Sequence, residues 1–283
     1  MSNTLQSAEA TTRKSAVSAV FDRVCQDYDH PALRFFPFTA ERMVTQLQPR
    51  SGWKVLDVAT GTGALAVALA QAVGEGGRVM GIDLSEGMLT GAEHNIQKMA
   101  ITNVDLFQMD AEEPEFRSNY FHAVTCSFGL FFLPDMARAL AQWARVTRPG
   151  GTILFSSFTE NAFAPLGACF VEDLEAAGVD VSARPLASER LKDATVCHDL
   201  LQAAGLQNIR QDVVQMGYHL RDANDWWQVV WGSAMRGLVE LVDEAQRETF
   251  RQRHLERVTQ LTTDKGLWMD VEVRFNSAQV AER

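Results

Sequence analysis

Three aspartates, Asp57, Asp83 and Asp110, stand in or at the end of short apolar runs, 26 and 27 residues apart. The first lies just ahead of two glycines in "VLDVATGTGALAVALA", residues 55–70. Gly61, Gly63 and Ala66 match the G-x-G-x-x-G/A spacing of dinucleotide binding, and Asp83 follows the second glycine at the interval that fingerprint expects. An NAD(P)-dependent oxidoreductase is therefore the first candidate.

Asp57 points elsewhere. In a dinucleotide loop the first glycine follows the strand at once, so that a helix N-terminus can meet a pyrophosphate. Here Asp57 sits inside the strand and "VAT" separates it from Gly61. A carboxylate there repels a pyrophosphate and suits a ligand with a positive amino group, such as the methionine end of S-adenosylmethionine. Glycines without Cβ atoms still let backbone lie against that ligand. Asp83, ending "GIDLSEGML", can accept both ribose hydroxyls. Asp110, in "FQMDAEEP", can accept from an adenine amino group while Ala111 offers its backbone N–H.

The elements that must carry these groups follow from spacing. Residues 1–14 are small and polar and read as a frayed tail. In "SAVSAVFDRVCQDYDH", Val17, Val20, Phe21, Val24 and Tyr28 form one face of a helix, and a second helix ends before Pro49 and Gly52. Strands and helices then alternate. "KVLDVA", "RVMGIDL", "VDLFQMDA", "HAVTCSFGLFF" and "TILFSSF" are strands, separated by helices that include one opened by Ser85 and one closed by a Pro-Gly-Gly turn. That rhythm implies a parallel sheet with right-handed crossovers. After residue 160 it changes. "CHDLLQAAGLQNIRQDVVQMGYHL" reads as a helix and a sixth strand, two helices follow, and "GLWMDVEVRFNSAQV" is a last strand.

The segments "VLDVATGTGALA", "GIDLSEGML", "QMDAEE", "VTCSFGLFFLPD" and "RVTRPGG" resemble, in order and spacing, the class I S-adenosylmethionine-dependent methyltransferases. Among these the chain is most similar to the ubiquinone/menaquinone-biosynthesis C-methyltransferases and their small-molecule relatives, and "FDRVCQDYD" resembles their N-terminal helix and Tyr-Asp. The resemblance covers roughly residues 17–158. It implies an α/β fold with a Rossmann-like, seven-stranded, mostly parallel sheet, an antiparallel last strand, helices on both faces and helical lid insertions. It divides the chain into an N-terminal lid (1–45), a donor-binding core (46–160) and a C-terminal part with substrate-cap insertions (161–283). It places Asp57, Ala59, Gly61, Thr62 and Gly63 around the methionine portion and Asp83, Leu84 and Met88 at the ribose and adenine. Asp110 and Ala111 fall at the adenine edge, Ser127 and Phe128 beside the sulfonium, and Tyr28 in the lid. The quinone enzymes lack so long a C-terminal helical region, and His122 stands where they often carry Asp.

Composition bounds the partners. A net charge of −10 argues against nucleic acid or an anionic membrane, and no apolar run approaches the roughly 18 residues of a membrane span. Cys25, Cys126, Cys169 and Cys197 have no metal-ligand spacing and read as reduced thiols of a cytoplasmic protein, with no metal. The expected reaction is in-line methyl transfer from S-adenosylmethionine to a small, rather apolar or aromatic metabolite. Phe132 and Trp227 are candidate substrate contacts, and a homodimer is an allowed assembly. His219, placed near the carboxyl end of the sixth strand, is the one candidate general base. His30, His94, His122, His198 and His254 read as surface or core. A non-catalytic S-adenosylmethionine-binding subunit is the remaining alternative.

Overall fold

A computed structural model describes residues 2–282, with side chains from residue 10. Helix α1 (Ser2–Val24) opens the chain, so the expected tail is helical. No Gly or Pro interrupts that stretch, and it is rich in Ala, which favours helix over fray. Tyr28 lies in the turn beyond α1, followed by α2 (Phe35–Leu47). The core then runs β1 (Lys54–Val58), α3 (Ala64–Val73), β2 (Arg78–Asp83), α4 (Glu86–Lys98), β3 (Val104–Gln108), β4 (Phe121–Ser127), α5 (Met136–Val146) and β5 (Thr147–Phe158). Helices α6 (Leu166–Ala176) and α7 (Ala194–Ala203) lead to β6 (Gln207–Gln215) and β7 (Tyr218–Leu220). Helices α8 (Ala223–Trp231), α9 (Arg236–Val239) and α10 (Arg247–Thr259) precede β8 (Leu267–Met269) and β9 (Glu272–Gln279).

Seven strands form one sheet in the order β3-β2-β1-β4-β5-β9-β6. β1 pairs in parallel with β2 and β4, β2 with β3, and β4 with β5, whereas β9 runs antiparallel to both its neighbours. Central strands are covered on both faces, and Val55, Leu56 and Val58 of β1 are fully buried. The order reverses between β1 and β4, so the loops leaving those strands diverge and open a crevice at their carboxyl ends.

Three sequence expectations change here. The fourth strand stops at Ser127, and Leu130–Phe132 form a 3-10 turn instead of its last residues. The expected sixth strand divides into β6 and β7, and the expected last strand into β8 and β9; β7 and β8 pair in a separate two-stranded sheet. Gly217 permits the break, because a Cβ there would stand 2.6 Å from the Met269 carbonyl oxygen. No helix among the described residues is long and apolar enough to cross a membrane.

Candidate functional site

The loop after β1 is built by its glycines. Gly61 adopts φ +56° and donates its N–H to Asp83 Oδ2 at 2.9 Å, while Asp83 Oδ1 accepts from Ser85 N at 2.9 Å. One carboxylate thus ties together the loops leaving β1 and β2. Burial, opposed by these backbone donors, holds Asp83 above the ordinary aspartate range. Gly129 lets the loop leaving β4 approach the β1 loop, since a Cβ there would meet Ala59 Cβ at 2.6 Å. Phe128 is held in the left-handed region at φ +54°, an uncommon and strained setting for a bulky residue, and its N–H donates to Ser156 Oγ.

These loops enclose a cavity over the tips of β1, β2, β3 and β4. Tyr28, Ala59, Gly61, Asp83, Leu84, Met88, Asp110, Ala111, Ser127 and Phe128 all line it. Ten of the thirteen expected donor residues are therefore brought together, and three are not. Asp57 is 1% exposed and does not line the cavity, with Oδ2 accepting from Thr60 Oγ1 at 2.6 Å and Oδ1 from Thr125 Oγ1 at 2.8 Å. It fastens β1 to the start of its own loop and to β4, and burial pushes it up to about 7. Thr62 is buried and donates to Asp29 Oδ1 at 2.6 Å, which ties the loop to the turn after α1. Gly63, at φ +84°, is the N-cap residue of α3 and packs toward Ala92.

Helix α1 covers the cavity with two stripes. Its polar stripe is Lys14, Ser18 and Asp22. Lys14 Nζ reaches Asp110 Oδ2 at 2.7 Å and Glu112 Oε2 at 2.5 Å. Burial draws its ammonium down, but the bonds to Asp110 and Glu112 outweigh that and hold it above the usual lysine value. Ser18 Oγ donates to the Leu84 carbonyl, and Asp22 Oδ1 accepts from Ser85 Oγ at 2.6 Å and Gly87 N at 3.0 Å. The apolar stripe, Val17 and Phe21, faces into the cavity. Lys14, Ser18, Asp22 and Glu112 were not read from the sequence. The signal was the four-residue interval of three polar residues, which places them on one face of a helix.

A second, apolar chamber adjoins the first. Phe35, Phe36, Phe131, Phe158 and Phe163 form its inner wall, and Leu186, Met235 and Leu238 its outer wall. Val17, Phe21, Tyr28, Phe128 and Phe132 line both cavities, so Phe132 stands where a substrate contact was expected. Phe128 and Phe158 stack at 4.2 Å, and Phe163, at φ +65°, is a second aromatic held in left-handed backbone.

Two expected contacts lie elsewhere. Trp227 is buried among Trp231, Phe250 and His254, so it packs on α10 and does not line the chamber. Beside it, Trp226 Nε1–H donates to His254 Nε2 at 2.8 Å, which places the imidazole proton on Nδ1, 2.6 Å from Asp173 Oδ2. Burial holds His254 below the ordinary histidine value, as befits a neutral core residue. His219 belongs to β7 of the small sheet, is exposed, and meets Trp268 edge-on. The break at Gly217 carries it off the active face. His122 Nδ1 accepts from Lys54 N at 2.9 Å, a structural role at the entrance of β4.

The sheet order, the tied glycine loop and the paired cavities over the strand tips define a class: a Rossmann-like α/β fold with an antiparallel last strand. The chain belongs to the ubiE/COQ5 methyltransferase family, whose model matches residues 8–174. It is 37% identical over 144 residues to the aklanonic acid methyltransferase DauC of Streptomyces sp. (strain C5), covering 51% of this chain and 66% of that one. The chain thus spans just under two-thirds of that relative's length. Against the nocamycin O-methyltransferase of Saccharothrix syringae it is 29% identical over 239 residues, covering 81% and 85%. Among solved structures, the YcgJ protein of Bacillus subtilis superposes with a TM-score of 0.59 at 19% identity, over 87% of this chain and 99% of that one. The Haemonchus contortus phosphoethanolamine N-methyltransferase 2, solved with S-adenosylhomocysteine, gives 0.53 at 17% identity, over 87% and 53%. At these identities the structures show the fold alone. Leu186, Met235 and Leu238 of the chamber lie beyond the family match.

Proposed function

We propose that this chain transfers the methyl group of S-adenosylmethionine to a small, apolar or aromatic acceptor by in-line displacement. One observation carries the reading: five residues, Val17, Phe21, Tyr28, Phe128 and Phe132, are walls of both cavities, so two ligands would meet there. S-adenosylmethionine supplies a methyl group already activated on a sulfonium. The chain's task is then alignment and exclusion of water more than acid-base chemistry.

The residues present fit that donor. Asp83 would receive the ribose hydroxyls, and Asp110 with the Ala111 N–H the adenine edge. Leu84 and Met88 would pack on the base, and the Gly61 backbone would lie against the methionine end. Ser127 and Phe128 would flank the sulfonium, with Tyr28 closing from the lid. Asp57, Thr62 and Gly63 support the loop from behind. A dinucleotide fits poorly. Lys14 is the sole basic side chain lining the donor cavity among the described residues, and it is committed to Asp110 and Glu112. Asp29, bonded to Thr62, stands at the start of α3, where a pyrophosphate would dock. The net charge of −10 favours a small-molecule partner over nucleic acid, and four free cysteines suit the reducing cytoplasm.

Calorimetric titration with S-adenosylhomocysteine and with reduced nicotinamide dinucleotide tests the donor. Incubating cell extract with labelled S-adenosylmethionine and the purified chain, then mass spectrometry, tests transfer. Binding of the first nucleoside and a labelled small product are expected. Tight binding of the nicotinamide alone would overturn the reading.

A further inference from the structure

The acceptor chamber offers no side chain able to take a proton near neutral pH, and this selects the acceptor. Among the described residues its polar side chains are the hydroxyls of Tyr28, Ser188 and Ser233; the rest of the lining is apolar. Tyr28 is no base: burial, reinforced by Asp83 and Asp29, keeps its phenol protonated far above the ordinary tyrosine value. The surrounding charged groups are not among the residues that line the chamber. Asp83 lies on the donor side with both oxygens bonded to backbone N–H groups, and Asp110 is held by Lys14. Glu160, Glu172, Glu189 and Lys192 border an outer recess beyond Phe158 and Phe163. His254 is sealed between Trp226 and Asp173, and His219 is on the small sheet.

We infer that the acceptor is a flat, delocalised carbon or oxygen acid that enters the chamber already ionised, having lost its proton to solvent. This rests on the methyltransferase reading. The anion's electron pair forms the bond to the methyl carbon, and the methyl–sulfur pair returns to sulfur. Anion and sulfonium both become neutral, and no proton moves. Opposite charges that vanish together are favoured by an apolar, dry chamber. The sulfonium itself is the cation that draws the anion in, so the wall needs none. An amine would instead leave as an ammonium, and no carboxylate lines the chamber to receive it. Flatness suits a wall made of aromatic faces such as the stacked Phe128 and Phe158.

The test is the pH dependence of kcat/KM for the full chain with S-adenosylmethionine, between about pH 6 and 9, using three acceptors. 4-Hydroxycoumarin is an enol ionised throughout that range, 2-naphthol a phenol ionised only toward its top, and benzylamine an amine. Transfer to 4-hydroxycoumarin is expected to be flat with pH. Transfer to 2-naphthol should rise about tenfold per pH unit, following the phenol's own ionisation. Benzylamine should give no product. A shared inflection in both acids would reveal a base on the protein and overturn the inference, as would transfer to the amine alone. Should S-adenosylhomocysteine bind while neither acid is methylated, this inference falls by itself. Failure of that nucleoside to bind removes the methyltransferase reading as well.

Discussion

Replacing Asp57 by Asn should flatten the pH dependence of stability in a direction its surroundings dictate. The carboxyl is 1% exposed, and burial raises it to about 7, against the hydroxyls of Thr60 and Thr125, which favour the anion. The unfolded chain releases the same proton near the ordinary aspartate value of 3.8. Between those two values the folded protein binds a proton that the unfolded chain has lost. Stability is therefore full below about pH 4, falls as pH rises toward 7, and levels off above. At 1.36 kcal/mol per unit the whole window is about 4 kcal/mol, of which roughly 2–3 kcal/mol falls between pH 5 and 8. For 283 residues an unfolding entropy of about 0.6 kcal/mol/K converts this to about 4 °C in Tm. Thermal melts by circular dichroism, for both proteins at intervals across that range, read it directly. The wild type should lose about 4 °C relative to Asp57→Asn, whose amide does not titrate. Any lost hydrogen bond would displace the variant's curve by a constant. Parallel curves would mean that Asp57 is ionised throughout, and the burial argument would be refuted.

Asp83→Ala should weaken S-adenosylhomocysteine by about 2–3 kcal/mol, or roughly 30- to 150-fold in Kd by calorimetry, because a charge-assisted acceptor is lost. It should also lower Tm, since the N–H groups of Gly61 and Ser85 lose their partner. Unchanged affinity would remove Asp83 from the donor site. Lys14→Met leaves Asp110 and the nearly buried Glu112 without their cation. Stopped-flow measurement should show the nucleoside leaving about 5- to 30-fold faster, the equivalent of 1–2 kcal/mol at a partly exposed pair. An unaltered off-rate would show that this contact does not hold α1 down.

The parallel core was legible because each strand is a short apolar run ended by a polar or glycine-rich turn, a local pattern that tertiary packing did not overrule. The gathering of Gly61, Asp83 and Asp110 around one cavity followed for the same reason: once β1, β2 and β3 are placed, these residues have one end of the sheet to occupy. Orientation was not legible. Asp57 does not line the cavity, and one of the two hydroxyls that hold its carboxylate belongs to Thr125, 68 residues distant. The split of the last strands was hidden too, since "QNIRQDVVQMGYHL" continues its strand character across Gly217, and the close approach of the Met269 carbonyl, which only a residue without Cβ allows there, is a contact from 52 residues further on. His219 was misplaced by that single break. Trp227 was uncertain because an apolar helix face looks alike whether it meets a ligand or, as here, Phe250 and His254.

Helix α1 shows why a polar tail in sequence can be a structural necessity. Its polar residues recur at four-residue intervals, so Lys14, Ser18 and Asp22 all reach the tips of β2 and β3 and the start of α4. Val17 and Phe21 interleave with them and belong to both cavities. A displacement of α1 from one cavity would therefore also withdraw Val17 and Phe21 from the wall of the other. The salt link at Lys14 lies midway along that helix, about one turn from Val17 and two turns from Phe21, on the wall the two cavities share.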